Sequence, residues 1–109
     1  MGINNFIMDN VSINPYTTIG DGNIIWSTAV IGHHNKIGNF NFFSGNSSIS
    51  GNSIIKDNCF FGVNSSVKND TKVNSFCLID AGEYVNLNLK KFSFCNKILN
   101  PNKKILTKD

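Results

Sequence analysis

His33 and His34 are the only histidines in this 109-residue chain, and they stand side by side after Ile31-Gly32. Histidine is the one side chain whose unperturbed titration falls near neutrality, so it can take up a proton and return it under mild conditions. Moving an acyl group from a thioester to an amine or hydroxyl needs such a base, N–H donors for the developing oxyanion, and a slot for the acyl carrier. One well-placed histidine and a few backbone N–H groups suffice for this. Two adjacent histidines are equally what a solvated corner presents, so their setting must carry the argument. As metal ligands they are poorly placed. Zinc needs three or four ligands, neighbouring side chains on an extended corner point apart, and the three cysteines show no CxxC spacing. No metal is expected.

The element that positions them is a six-residue period. Stepping by six from Ile7 gives Ile13, Ile19, Ile25, Ile31, Ile37, Phe43, Ile49, Ile55, Phe61, Val67, Val73, Ile79 and Val85, every one aliphatic or Phe. Apolar residues make up 40% of the chain, too few to sustain such a run by chance. Two positions earlier a small or polar residue recurs, as at Thr17, Asn23, Ala29, Asn35, Asn41, Ser47, Ser53 and Cys59. Side chains alternate along a strand, so both residues face the same side, one large and one small. Gly often follows the large residue (Gly20, Gly32, Gly38, Gly62), and 19 residues of the chain are Asn. Both tolerate left-handed backbone angles, which suits a corner after each short strand.

Three hexads close one triangular coil of 18 residues, and the inward residues then stack in columns. These are Ile7, Ile25, Phe43, Phe61, Ile79; then Ile13, Ile31, Ile49, Val67, Val85; and Ile19, Ile37, Ile55, Val73. The expected fold is all-β, a parallel β-helix of hexapeptide repeats over residues 1–85. Cys59 and Cys77 fall one coil apart at the small inward position, where they read as buried apolar filler. The residues just before the first column, Phe6, Ile24, Phe42, Phe60 and Leu78, are all large and apolar and point outward. Such a stripe marks an interaction surface, expected to be a subunit interface around a threefold axis. The alternative cover is the C-terminal tail. After Val85 the phase breaks, with Lys91 and Lys97 on the extrapolated inward positions, so residues 86–109 are expected to leave the helix as an irregular tail that caps the last coil or clasps a neighbour.

Composition narrows the classes. There are ten Lys, no Arg and seven acids, and six of the lysines follow Val85, so the repeat region carries no basic stripe of the kind that binds nucleic acid. No apolar run approaches the roughly 20 residues of a membrane span, and the first residues lack the basic and apolar regions of a signal peptide. Three cysteines, an odd number, fit reduced thiols, and a cytoplasmic location is expected.

The residues 32–67, GHHNKIGNFNFFSGNSSISGNSIIKDNCFFGVNSSV, resemble the hexapeptide acyltransferase superfamily. Within it they are similar to the sialic acid O-acetyltransferase and bacterial amino-sugar N-acetyltransferase group. That group has H-x-x-x-I-G-x-F followed by G-N-x-x-I-x-x-N-x-F-x-G-x-N-S, here His33, Ile37-Gly38, Phe40, then Gly51-Asn52, Ile55, Asn58, Phe60, Gly62 and Asn64-Ser65. The resemblance implies a left-handed coil, a homotrimer, and His33 as general base on a sugar or sugar-nucleotide amine or hydroxyl, with His34 a second candidate. It implies acetyl-CoA in a groove between subunits near Gly51, Gly62-Val63 and Ala81-Gly82. The chain departs from the group in having His34 where many members have an acid, and Phe42 where many have a second histidine. A non-catalytic trimeric scaffold or partner subunit is the alternative function.

Overall fold

The computed structural model describes residues 1–96. It is a three-sided parallel β-helix, 40 Å long and 23 Å across, built of two-residue strands. The first face stacks Phe6–Ile7, Ile24–Ile25, Phe42–Phe43, Phe60–Phe61, Leu78–Ile79 and Phe94–Cys95. The second stacks Ser12–Ile13, Val30–Ile31, Ser48–Ile49, Ser66–Val67 and Tyr84–Val85. The third stacks Thr18–Ile19, Lys36–Ile37, Ile54–Ile55 and Lys72–Val73. Up to Val85 the register is the 18-residue step read from the sequence, for example Ile25↔Phe43, Ile31↔Ile49 and Ile37↔Ile55. No helix occurs among the described residues, and hence none long and apolar enough to cross a membrane.

The three columns form one continuous core. Ile25, Ile31, Phe43, Phe61, Val73 and Ile79 are wholly buried, while Ile7 at the open first coil keeps 37% of its surface. Each fully buried Ile or Phe contributes about 1.5–3 kcal/mol. Backbone N–H groups cannot pair within so short a strand. They donate along the axis to the next coil instead, as from Ile24 to Asn41 O and from Val30 to Ser47 O, both at 2.9 Å.

The small inward residues do more than leave room. Asn23 N donates to Asn5 Oδ1, Asn41 N to Asn23 Oδ1 and Cys59 N to Asn41 Oδ1, at 2.8–2.9 Å. The amide Nδ2 groups of Asn5, Asn23 and Asn41 donate to the carbonyls of Gly20, Gly38 and Lys56. This ladder satisfies corner backbone groups that water cannot reach. Cys59 and Cys77 take the same rungs, their thiols donating to Asn74 O at 3.1 Å and Lys90 O at 3.2 Å. Both are buried, and none of Cys59, Cys77 and Cys95 forms a disulfide. The Cys77 side chain beside it, together with burial, holds the Cys59 thiol far above its ordinary range.

Two expectations change. The left-handed corner residue is not the glycine after each inward residue but the residue two further on. Asn10, Tyr16, Thr28, His34, Phe40, Asn46, Asn52, Asn58, Asn64, Asp70 and Phe76 all have φ near +60°. Asparagine fills six of these corners with Asn4 included, which accounts for much of the Asn-rich composition. The second change lies at Val85. Residues 86–96 do not leave the helix: Leu89 bridges Val73, and Phe94–Cys95 pairs with Leu78–Ile79. The step here is 16 residues, so one corner has lost two residues and the hexad resumes with Leu89 and Cys95 inward. Lys91 therefore moves off the inward position and lies exposed over the Phe76 and Phe92 rings. Lys97, Pro101 and the remainder of the expected tail lie outside the described residues.

Candidate active site

Coils stack with a period of 18, so residues 16, 34, 52 and 70 share one corner, between the second and third faces. His34 has φ +56° and its N–H donates to Pro15 O at 3.1 Å. Its ring stacks on Tyr16, with centroids 5.0 Å apart and planes 28° apart. On the other side His34 Nδ1 lies 3.0 Å from His33 Nδ1, and the two rings meet edge to face. One of the two nitrogens must donate and the other accept.

His33 is exposed and its ring lies over Gly51 of the next coil. A Cβ at Gly51 would come within 2.7 Å of Cε1, 2.8 Å of Nε2 and 3.1 Å of Nδ1. The glycine thus makes the seat of the ring, while Asn52 N donates to His33 O at 2.9 Å and fixes the backbone beneath it. His33 Nε2 makes no hydrogen bond among the described residues. The row continues with Asn52 Nδ2 donating to Asp70 Oδ1 at 2.6 Å and Asn69 Nδ2 to Asp70 Oδ2 at 2.9 Å. The corner is therefore a line of polar groups in which the Nε2 of each imidazole is left without a hydrogen bond among the described residues.

Gly62, Val63, Ala81 and Gly82 gather at a different corner, between the first and second faces. Gly82 N donates to Val63 O at 2.8 Å, and a Cβ on Gly62 would lie 2.5 Å from Ala81 N, so the two coils touch backbone to backbone here. A groove of about 270 Å³ opens on this corner, lined by Trp26, Ser27, Phe42, Ser44, Gly45 and Val63. Phe42 stacks on Phe60 at 5.2 Å and approaches Trp26 at 6.5 Å, which joins the groove to the apolar stripe on the first face. Phe6, Phe60 and Leu78 are exposed there, Ile24 and Phe42 partly so, and Phe94 extends the stripe by one coil. Gly51 belongs with the histidines and not with the other four residues. Within one chain the second face separates the two groups.

Tyr16 and Asp70 were not singled out in the sequence, and Asn52 stood only as part of the Gly51-Asn52 motif. The signal for them was present, since each lies a multiple of 18 from His34. Among the described residues, no three His, Cys, Asp or Glu side chains converge as ligands for a metal ion.

Comparison with known proteins agrees with the repeat. Residues 1–33 match the family described as "Bacterial transferase hexapeptide (six repeats)". No curated protein matches the chain by sequence. Among solved structures, WeeI from Acinetobacter baumannii AYE is similar with a TM-score of 0.68 and 19% identity, over 84% of this chain and 51% of that one. Serine acetyltransferase isoform 3 from Entamoeba histolytica, in complex with cysteine, gives 0.68 and 18%, over 86% and 35%. A mutant of the GDP-perosamine N-acetyl transferase from Caulobacter crescentus, in complex with CoA and GDP-perosamine, gives 0.57 and 14%, over 82% and 52%. The chain thus spans between about a third and a half of the length of these structures. At these identities the likeness establishes the fold. The hexad, the three-sided coil and the family match over residues 1–33 thus agree on a coil of hexapeptide repeats.

Proposed function

We propose that this chain is an acyl-CoA-dependent acyltransferase, with acetyl-CoA as donor and a sugar amine or hydroxyl as acceptor, serving surface-polysaccharide or glycan biosynthesis in the cytoplasm. One observation carries the reading: His33 is seated over Gly51, its Nδ1 engaged by His34 and its Nε2 free at an open corner. In the reaction, the acceptor nitrogen or oxygen attacks the thioester carbonyl carbon as His33 Nε2 takes its proton. Collapse of the tetrahedral oxyanion breaks the C–S bond, and the proton leaves with the CoA thiol. The bound CoA and GDP-perosamine of the Caulobacter structure support this choice of donor and acceptor class.

The donor fits the first corner. Gly62 and Gly82 carry no side chain, and the apolar groove beside Val63 suits the aliphatic part of a pantetheine arm. Because this corner and the His33 corner lie apart in one chain, the site is completed between subunits. Phe6, Ile24, Phe42, Phe60 and Leu78 supply the contact for a homotrimer. Light scattering at micromolar concentration is expected to give the trimer mass, and a monomer would overturn this assembly.

Thermal unfolding with acetyl-CoA tests the binding itself. At 100 times its Kd, ligand is expected to stabilise the folded state by about 2.7 kcal/mol. An unchanged transition at millimolar acetyl-CoA would favour the non-catalytic scaffold.

A further inference from the structure

The contact between the two histidine rings has a consequence for where charge goes. Resting on the acyltransferase reading above, we propose that His33 and His34 act as one proton-relay pair, and that Tyr16 is a positioning residue which holds the positive charge on His34. The Nδ1–Nδ1 separation of 3.0 Å admits a single proton between the rings. In the neutral pair one ring donates that proton and has a bare Nε2, and the other carries its proton on Nε2. With His33 as donor, its bare Nε2 is the base.

The protons balance without an anion. The acceptor's proton goes to His33 Nε2. The Nδ1 proton of His33 passes to His34 Nδ1, and His34, already protonated at Nε2, becomes the imidazolium. His33 is then neutral with its proton on Nε2, placed to be given to the departing thiolate as the Nδ1 proton returns. An acid next to a base would stabilise the imidazolium in place. Here the charge moves one ring further, onto a His34 stacked at 5.0 Å on the face of Tyr16, where the electron-rich ring favours a cation.

Few other groups compete for the pair. The preceding coil brings Tyr16 and the uncharged Pro15, and the following coil brings Gly51 and Asn52, which do not titrate. Lys36 lies two residues on, exposed on the third face. The carboxylate of Asp70 is engaged by Asn52 and Asn69.

The test is nitrogen NMR of the imidazole rings in the intact protein, with no substrate present. In the wild type, the pair carrying one added proton should show a single proton shared between the two Nδ1 atoms and the charge on the His34 ring. His34→Phe should leave His33 without its Nδ1 partner. Phenylalanine adopts the same left-handed backbone angle at Phe40 and Phe76, so this variant keeps the fold. Tyr16→Asn, a residue found at this corner position at Asn10 and Asn52, should keep the shared proton but move the charge back toward His33. Tyr16→Phe retains an aromatic face and should restore the wild-type spectrum. Turnover should fall roughly 10–100-fold in His34→Phe with KM unchanged, by analogy with the loss of hydrogen-bond partners behind metal-bound histidines. Nδ1 signals in the wild type that show no shared proton, or a His33 signal indifferent to His34→Phe, would overturn the relay. A shared proton in a protein with no acyl transfer would uphold the pair and sink the proposed activity, so the two failures are separable.

Discussion

His33→Ala is expected to lower acyl transfer by about 10²–10⁴-fold, the usual contribution of a general base. The imidazole is exposed, and its removal touches no core residue, so stability should change by no more than about 0.5 kcal/mol. Gly51→Ala gives an independent approach to the same group. Its Cβ would stand 2.7 Å from the His33 ring, closer than carbon atoms approach, and something must move. The exposed ring is easier to displace than the stacked coils, so it swings away and its Nε2 leaves the position it now holds. A displacement of about 1 Å at a reacting group costs on the order of 10²-fold. Steady-state transfer rates measured beside thermal melts will separate this from unfolding. Full activity in Gly51→Ala would show that the base does not work from its seat over that glycine.

Phe61→Ala is expected to cost about 3–5 kcal/mol, the range for losing a large core aromatic. Phe61 is fully buried and meets Phe43 edge to face at 4.9 Å in the first column. The interior is a single column wide on each face, so no second layer can collapse into the gap. Coils in a repeat fold lean mainly on their neighbours, and the loss weakens the stacking on both sides of residue 61. Against a typical total of roughly 5–15 kcal/mol, that is a third or more of the stability of the fold. Urea unfolding should show the midpoint drop sharply, whereas Ile7→Ala, at the open first coil, should move it far less. Equal effects at the two positions would contradict a core centred on the middle coils.

The hexad made most of the fold legible, because a period of six with three faces leaves one way to stack the inward residues. The register from Ile7 to Val85 could be written down to the residue for that reason. The corners were harder. Asparagine at Asn46 or Asn58 suggests a left-handed angle, but Tyr16, Thr28, His34 and Phe40 adopt the same angle with no local preference for it. There the coils above and below impose the backbone, and propensity is overruled. The two-residue loss after Val85 was visible as a broken phase. Its outcome was not, because only the pairing of Leu89 with Val73 shows that stacking resumes. At the candidate site, His33 and His34 stood out by type. The stack of His34 on Tyr16 and the placement of Gly51 under His33 depend on ring positions that spacing does not specify. The separation of the Gly62 and Gly82 corner from the histidine corner follows from the position of each residue after its strand, a count available in the sequence.

The Asn-filled corners also bear on how the protein ages. Asparagine degrades when the backbone nitrogen of the next residue turns onto the side-chain carbonyl carbon and closes a five-membered imide. A small following residue such as serine makes this easier in a loose chain; Asn46, Asn52 and Asn64 at the left-handed corners each precede serine, as does Asn74, whose neighbour Ser75 N donates to the Asn74 side-chain oxygen. In the coil those nitrogens are occupied: Ser47 N donates to Ser44 O, Ser53 N to Asn35 Oδ1 and Ser65 N to Gly62 O. All three serines are buried. Cyclisation would have to break a hydrogen bond inside the prism and turn a backbone that both neighbouring coils hold. The three corner sites are thereby protected for as long as the chain stays folded, and mass mapping after prolonged storage should find them intact in the native protein and converted in the unfolded one.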